Sequence, residues 1–306
     1  MPRSTSWKQE AALLSVVLIW GLNFIVMKLV LEVMHPHVMN MFRLLASGLV
    51  LGYVYWVREG RSVTRCIAPL RTHFGPLLRL GIVGWVLYQI AFIVGLDYTT
   101  AENAALIMAS PPLWTALLAT VMGIERLSLA GWFGLLISLC GTITVVLFGS
   151  DELTLASDLL LGNVIMLGAA IMWGAYTTLT KPLVTDLRPM AVTVLALLIV
   201  YPVIVAVGIP FWTMVEWHRV TWLHWAAIIL SGSLSTGVAI AVWNTAVQKL
   251  GASHTAAFNN LVPFVAVIAG FLILDDPLFL AQLIGGVLII SGLAVMRRAR
   301  SSRRTV

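Results

Sequence analysis

Trp20-Gly21-Leu22-Asn23-Phe24-Ile25-Val26-Met27-Lys28 lies inside the first long apolar run of the chain, and it returns in altered form as Trp173-Gly174-Ala175-Tyr176-Thr177-Thr178-Leu179-Thr180-Lys181. In both copies a Trp-Gly pair precedes a lysine at the same spacing, 153 positions apart. Tryptophan, glycine and polar side chains in the middle of a hydrophobic helix are costly against lipid. Such residues face protein or a cavity instead. The two copies therefore read as opposite walls of one central site.

The surroundings support a membrane setting. Of 306 residues, 60% are hydrophobic and 10% charged, whereas a soluble domain carries about 25% charge. The apolar residues come in long runs separated by short polar or basic breaks, the pattern of an all-α polytopic membrane protein. The net charge of +6 is no sign of nucleic-acid binding, because the basic residues gather at predicted helix ends. Cys66 falls in a basic loop and Cys140 in an apolar run, so no disulfide joins them in this reading. Arg3 and Lys8 precede an apolar run that continues to about Val33 without a small-residue cleavage site, which makes it a first span rather than a signal peptide.

Runs of about 20 apolar residues predict ten spans: 10–33, 37–57, 75–96, 102–123, 127–148, 158–180, 188–210, 222–247, 252–274 and 277–296. Arg58, Arg61, Arg65 and Arg71 lie in the loop after span 2, and Arg297, Arg298, Arg300, Arg303 and Arg304 in the tail. Ten spans put both termini on one side. Placing them inside leaves nearly every loop Lys and Arg cytoplasmic, and Asp97, Glu102, Asp151, Glu152, Asp275 and Asp276 opposite, with Arg219 as the main exception. The expected location is a bacterial inner membrane with cytoplasmic termini.

The second half echoes the first. Pro112, Glu125, Gly134 and Gly141 return 151 positions later as Pro263, Asp276, Gly285 and Gly292. Two repeats are predicted, 10–148 and 157–297, followed by a basic cytoplasmic tail, 298–306. Each repeat has five spans, an odd number, so the two must sit inverted with respect to each other. In such transporters the site lies near the midplane between the repeats.

Trp-Gly-x-Asn-Phe followed by Lys28, Arg43 in span 2, the prolines of spans 4 and 9, and the Glu125-Arg126 turn appear in an order that resembles the drug/metabolite transporter superfamily. Within it the chain is similar to the EamA family and to YddG-type amino-acid exporters. The resemblance covers about 10–297. It implies ten helices, an inverted repeat, a central cavity and export of amino acids or related metabolites across the inner membrane. The second copy departs from the pattern: Tyr176 stands where Asn23 is, and span 7 lacks an equivalent of Arg43. The site should be asymmetric.

Aromatic and amide residues recur within the spans: Trp20, Asn23, Tyr88, Gln89, Phe92, Trp173, Tyr176, Trp243, Asn244, Phe258, Asn259 and Asn260. Aromatic faces hold apolar bodies and attract ammonium groups, while amides supply the few orienting hydrogen bonds that a small-molecule site needs. Amides also bind helices to one another, and each residue is weighed against that use. Trp20, Asn23, Trp173 and Tyr176 rank first because they fall near mid-membrane. Arg43 is placed to meet a substrate carboxylate or to pair with Glu32, Asp97 or Glu102, and the ion pair is preferred. Lys28 and Lys181 are read as snorkelling to the interface, with gate contacts as the alternative. Pro111, Pro112 and Pro263 are candidate hinges, since proline kinks a helix. The glycines of spans 5 and 10 read as packing positions.

The histidines have no zinc spacing, and no nucleophile elbow, phosphate loop or dinucleotide fingerprint is present. No enzyme activity, metal or cofactor is expected. The partners are a small-molecule substrate and the bilayer, with the chain a monomer or an oligomer of unspecified order. The leading expectation is an exporter of apolar or aromatic amino acids or related small metabolites, working by alternating access. Efflux of cationic drugs is the alternative, and an integral-membrane enzyme or a sensor the reading from a different class. No carboxylate sits clearly at mid-membrane, which argues against proton antiport through a buried acid.

Overall fold

A computed structural model describes residues 3–122, 128–148, 158–250, 255, 258, 261–273 and 279–301. All regular structure among the described residues is helical. The first half holds α1 (Arg3–Leu31), α2 (Pro36–Arg58), a short α3 (Val63–Ile67), α4 (Leu70–Gly81), a π-helical turn (Ile82–Leu87), α5 (Tyr88–Tyr98), α6 (Ala101–Ile107), α7 (Pro111–Val121) and α8 (Leu129–Phe148). The second holds α9 (Asp158–Asp186), α10 (Pro189–Gly208), a 3-10 turn (Ile209–Met214), α11 (Trp222–Leu230), a second π-helical turn (Ser231–Val238), α12 (Ala239–Leu250), α13 (Val262–Ile273) and α14 (Leu280–Ser301). Among the described residues six stretches are long and apolar enough to cross a bilayer, namely Lys8–Leu31, Pro36–Arg58, Leu70–Tyr98, Leu159–Asp186, Pro189–Met214 and Trp222–Lys249, and shorter apolar helices accompany them. The protein is an all-α polytopic membrane protein.

Helical periodicity sorts the first span. Leu14, Leu18, Leu22 and Leu29 share an exposed stripe, while Asn23, Phe24 and Met27 are buried and Trp20 packs against the core. Apolar side chains on the outer face suit lipid, and the polar and aromatic ones turn inward, as the cost of polar groups in hydrocarbon requires.

The glycines reveal how the halves are related. A Cβ on Gly141 would lie 2.6 Å from the Gly285 carbonyl and 2.7 Å from the Ile289 nitrogen, and one on Gly292 would collide with the Gly134 carbonyl and the Ser138 nitrogen. Stepping back along α8 from Gly141 toward Gly134 thus steps forward along α14 from Gly285 toward Gly292. The two helices run antiparallel, yet they are equivalent by the 151-residue offset, so the repeats are inverted. The same exchange occurs elsewhere. Gly21 of α1 abuts Val262 and Val265 of α13, while Gly174 of α9 abuts Pro111 and Trp114 of α7. Gly232 meets the Arg43 carbonyl, while Gly81 meets the Ala196 carbonyl. These small residues let backbones touch across the repeats, which is how helices associate in lipid.

The prolines act differently from the expected kink. Span 4 is interrupted: α6 ends at Ile107, and Pro111 is the first residue of α7, with Ser110 as its cap. A helix's first N–H groups have no intrahelical partner, so proline costs nothing there. Turn bonds from the Ala109 and Ser110 nitrogens to the Leu106 and Ile107 carbonyls, 3.1 and 3.0 Å, span the break. Pro263 is likewise the second residue of α13. The Glu125-Arg126 turn lies outside the described residues.

Polar contacts mark both ends of the bundle. At one end His35 stacks on Phe211 at 4.1 Å between ring centroids, and Trp212, Trp217, Trp225 and Phe42 pack together, an aromatic girdle of the kind found at membrane interfaces. At the other end Arg188 meets Glu59 at 2.7 Å and His73 meets Asp186 at 3.6 Å, joining the end of α2 and the start of α4 to the end of α9 and the connection after it.

Candidate functional site

A small cavity of about 50 Å³ lies where the two repeats meet. Its walls come from α1 (Trp20, Asn23, Phe24), α2 (Arg43), α5 (Tyr88, Gln89, Phe92) and α9 (Trp173), with Met108, Ser235, Thr236, Ile240 and Val262 completing it. That volume holds a few waters, and the aromatic rings around it pack on one another. Trp20 meets Trp173 edge-on at 5.7 Å and Trp243 at 5.1 Å. Trp173 stacks on Tyr176 at 5.0 Å and leans on Tyr88 at 5.0 Å. Phe92 touches Tyr88 and Phe24, each at 5.6 Å. Such ring pairs contribute about 0.5–1.5 kcal/mol each beyond the area they bury.

The polar side of the cavity is built around Arg43, which is 2% exposed. Its Nη2 donates to the Asn40 Oδ1 at 2.9 Å and to the Gln89 Oε1, and its Nη1 donates to the Met27 sulfur at 3.0 Å. The guanidinium carbon stands 5.9 Å from the centre of the Phe92 ring. The expected ion pair is not formed with Glu32 or Asp97: amides, a thioether and an aromatic face surround Arg43, and no described carboxylate reaches it, the Glu102 side chain lying outside what the structure describes. The reason is depth. Arg43 is at the level of Met27 and Gln89, while Glu32 and Asp97 lie nearer the end of the bundle, around a separate vestibule of about 480 Å³.

Both π-helical turns adjoin the site, at positions equivalent by the 151-residue offset. Widening a helix by one residue per turn disrupts the regular ladder of hydrogen bonds. One product is visible: the Trp20 Nε1 donates to the Ser235 carbonyl at 3.0 Å, which fixes the indole across the repeat interface. In the first half the corresponding Gly84 leaves room for the Tyr176 ring, which a Cβ there would strike. The run Ser231-Gly232-Ser233-Leu234-Ser235-Thr236-Gly237 is the sequence signal for this turn, and it was legible only as an unusually small and polar patch. Met108, Ser235, Thr236, Ile240 and Val262 also line the site without having been marked by sequence, because most look like ordinary span residues.

Of the residues expected at the site, Trp20, Asn23, Tyr88, Phe92 and Trp173 are brought together around the cavity with Arg43. Tyr176 and Trp243 pack behind the tryptophans. Asn244 is buried away from the cavity and donates to the Tyr176 hydroxyl at 3.0 Å and the Thr193 hydroxyl at 2.9 Å, so it acts between helices. Phe258 packs against the apolar core. Asn259 and Asn260 lie outside the described residues. Lys28 donates to the Asp97 carbonyl at 3.2 Å beside the vestibule. Lys181 is exposed at the opposite end of the molecule.

The arrangement is an aromatic chamber with one buried cation, set between inverted repeats. The EamA-like transporter family matches this chain twice, over residues 7–147 and again over 160–298. The chain belongs to the EamA-like transporter family. It is a membrane transporter of that kind, and among its curated relatives are proteins named as transporters. An uncharacterized transporter, YyaM of Bacillus subtilis, is 29% identical over 223 residues, covering 73% of each chain. An uncharacterized transporter of Archaeoglobus fulgidus is 28% identical over 290 residues, 93% of this chain and 96% of that one. A WAT1-related protein of Arabidopsis thaliana is 23% identical, with 89% of this chain and 76% of the plant protein covered. One solved crystal structure aligns with a TM-score of 0.65 over 98% of this chain and 99% of its own at 20% identity, and shares the fold of this EamA-like transporter.

Proposed function

We propose that this transporter exports small amphipathic metabolites, apolar or aromatic amino acids foremost, by alternating access through the chamber between its two repeats, 10–148 and 157–297. The observation that carries this reading is the aromatic chamber itself. It lies at the junction of inverted repeats, and Trp20 and Trp173, the equivalent residues of the two halves, both line it and meet edge-on. A two-sided carrier needs a site that each half can expose in turn. Efflux of cationic drugs fits the aromatic faces but not Arg43, since a buried guanidinium repels a cation. The location proposed is a bacterial inner membrane with both termini, and the basic 298–306 tail, on the cytoplasmic side.

The moving parts follow from the same observations. The break between α6 and α7 and the start of α13 at its proline-bearing end are flexing points, and the two π-helical turns are a second pair. The Lys28 contact with Asp97 closes one end. The Arg188–Glu59 and His73–Asp186 pairs close the other. Each is an exposed or half-exposed contact contributing about 1 kcal/mol or less, weak enough to open in each cycle.

Among the described residues no carboxylate lines the chamber. Flux through it is therefore expected to follow the substrate gradient without being driven by a pH gradient. Purified protein in liposomes, assayed for uptake of a panel of radiolabelled amino acids with and without an imposed pH gradient, tests both statements. Saturable uptake of apolar amino acids, with equal plateaus in the two arms, is the expected result. Accumulation driven by the pH gradient would overturn the uncoupled mechanism, and absence of flux for every amino acid from folded protein would overturn the amino-acid assignment.

A further inference from the structure

We propose that the substrate of the chamber is a small organic anion, with its charged group held by Arg43, Asn23 and Tyr88 and its apolar body held by the tryptophan faces. This rests on the carrier reading above and, within its class of small amphipathic metabolites, sets organic anions ahead of the zwitterionic amino acids.

The first support is a mismatch of donors and acceptors. The Arg43 Nη1 and the Asn23 Nδ2 both point at the Met27 sulfur, at 3.0 and 2.8 Å. A thioether is a weak acceptor, and an anionic oxygen is a far stronger one. Both donors belong to side chains that line the cavity, so an anionic oxygen there would draw them from the thioether with a gain. The Arg43 Nε–H finds no acceptor among the described residues. The Tyr88 hydroxyl, on the same wall, makes no hydrogen bond to a described residue either.

The second support is charge balance. A buried guanidinium is costly when uncompensated, and no described carboxylate compensates Arg43. Its amide partners Asn40 and Gln89 supply dipoles without supplying charge. An anionic substrate would supply the missing charge, and a cation would be repelled.

The third support separates a binding role from a scaffold role. Gly232 against the Arg43 carbonyl and Gly81 against the Ala196 carbonyl show that Ala196 occupies the position of Arg43 in the second repeat. By the 151-residue offset Ile240 occupies that of Gln89. The fold builds the same helix crossing from Ala196 and Ile240 on one side as from Arg43 and Gln89 on the other. The polar set is therefore not what the crossing requires.

Three probes share a phenyl ring and a short chain and differ in charge near neutral pH: 3-phenylpropionate is an anion, phenylalanine a zwitterion and phenethylamine a cation. Their binding to the purified full-length protein is measured by calorimetry, and their flux in proteoliposomes. The expected order is 3-phenylpropionate tightest by about tenfold or more over phenylalanine, with phenethylamine weakest, since the ammonium group would be desolvated beside the Arg43 guanidinium with no described carboxylate of the chamber to meet it. Arg43→Gln is expected to weaken the anion by about tenfold or more and to level the series, with Arg43→Lys recovering part of the loss and Tyr88→Phe costing a few-fold. If Arg43→Gln fails to fold, the wild-type order and Tyr88→Phe decide. Phenethylamine binding as well as the anion, an unchanged affinity in folded Arg43→Gln, or no binding of any probe would overturn the proposal. Flux of the zwitterion or cation in preference to the anion would sink the anion class and leave the carrier standing. Anion binding in the expected order without flux of any probe would keep the site and sink the carrier.

Discussion

Gly232→Val is expected to leave little folded protein in the membrane. A Cβ at this position would collide with the Arg43 backbone carbonyl and come within 3.0 Å of the Ala46 side chain. The obstacle is backbone of the neighbouring helix, so no rotamer change relieves it, and the π-helical turn and α2 must separate. Overpacking of this kind costs about 1–3 kcal/mol in ordinary cores, and loss of a close helix crossing in lipid adds to it. Gly168→Ala is the matched control: nothing lies within 4 Å of its Cβ position, and alanine in a helix is better than glycine by about 1 kcal/mol. Thermal unfolding of the two variants in detergent, followed by size-exclusion fluorescence, should show the first collapsed and the second unchanged or raised. A Gly232→Val protein with wild-type stability would mean that α2 and the turn are not in contact as described.

Trp173→Ala is expected to reduce initial flux per folded transporter by about tenfold or more, while Trp173→Phe keeps a substantial part. The indole touches Trp20, Tyr88, Tyr176 and Trp243 and is 4% exposed. Its removal takes away one face of the chamber and opens a void. The stability cost of truncating a buried tryptophan is about 3–5 kcal/mol, so rates are normalised to folded protein. Phenylalanine restores a ring against Tyr88 and Tyr176 and tells loss of the platform from loss of the fold. Full flux in folded Trp173→Ala would remove Trp173 from the transport path.

Much of this was legible in the sequence. The apolar runs give the membrane class, because hydrocarbon leaves the chain few ways to cross it. The Trp-Gly copies and the 151-residue offset give the duplication, and an odd number of spans gives the inversion, which the antiparallel contact of Gly141 with Gly285 and of Gly292 with Gly134 bears out. Other features depend on contacts between distant segments and leave no periodic trace. Arg43 looked like half of an ion pair because arginine in lipid usually has a carboxylate. Its actual partners, Asn40, Gln89 and Met27, are amides and a thioether that only the packing of α1, α2 and α5 assembles. Pro111 suggested a kink because the apolar run continues through it, whereas the helix stops at Ile107 and restarts. The π-helical turns have no firm sequence rule, and the Lys28 contact with the Asp97 carbonyl joins residues 69 positions apart.

Two-sided access to the chamber is the centre of this account, and Ser235 is the residue at which to test it. It lines the cavity between the repeats and accepts from Trp20 through its backbone, so its side chain is free for substitution. In a background with Cys66 and Cys140 changed to serine, Ser235→Cys is exposed to a membrane-impermeant thiol reagent in right-side-out and in inverted vesicles. Labelling from both sides, slowed by transported substrate and accompanied by loss of flux, is the predicted result. Labelling from one side only, or flux that persists after complete labelling, would contradict it.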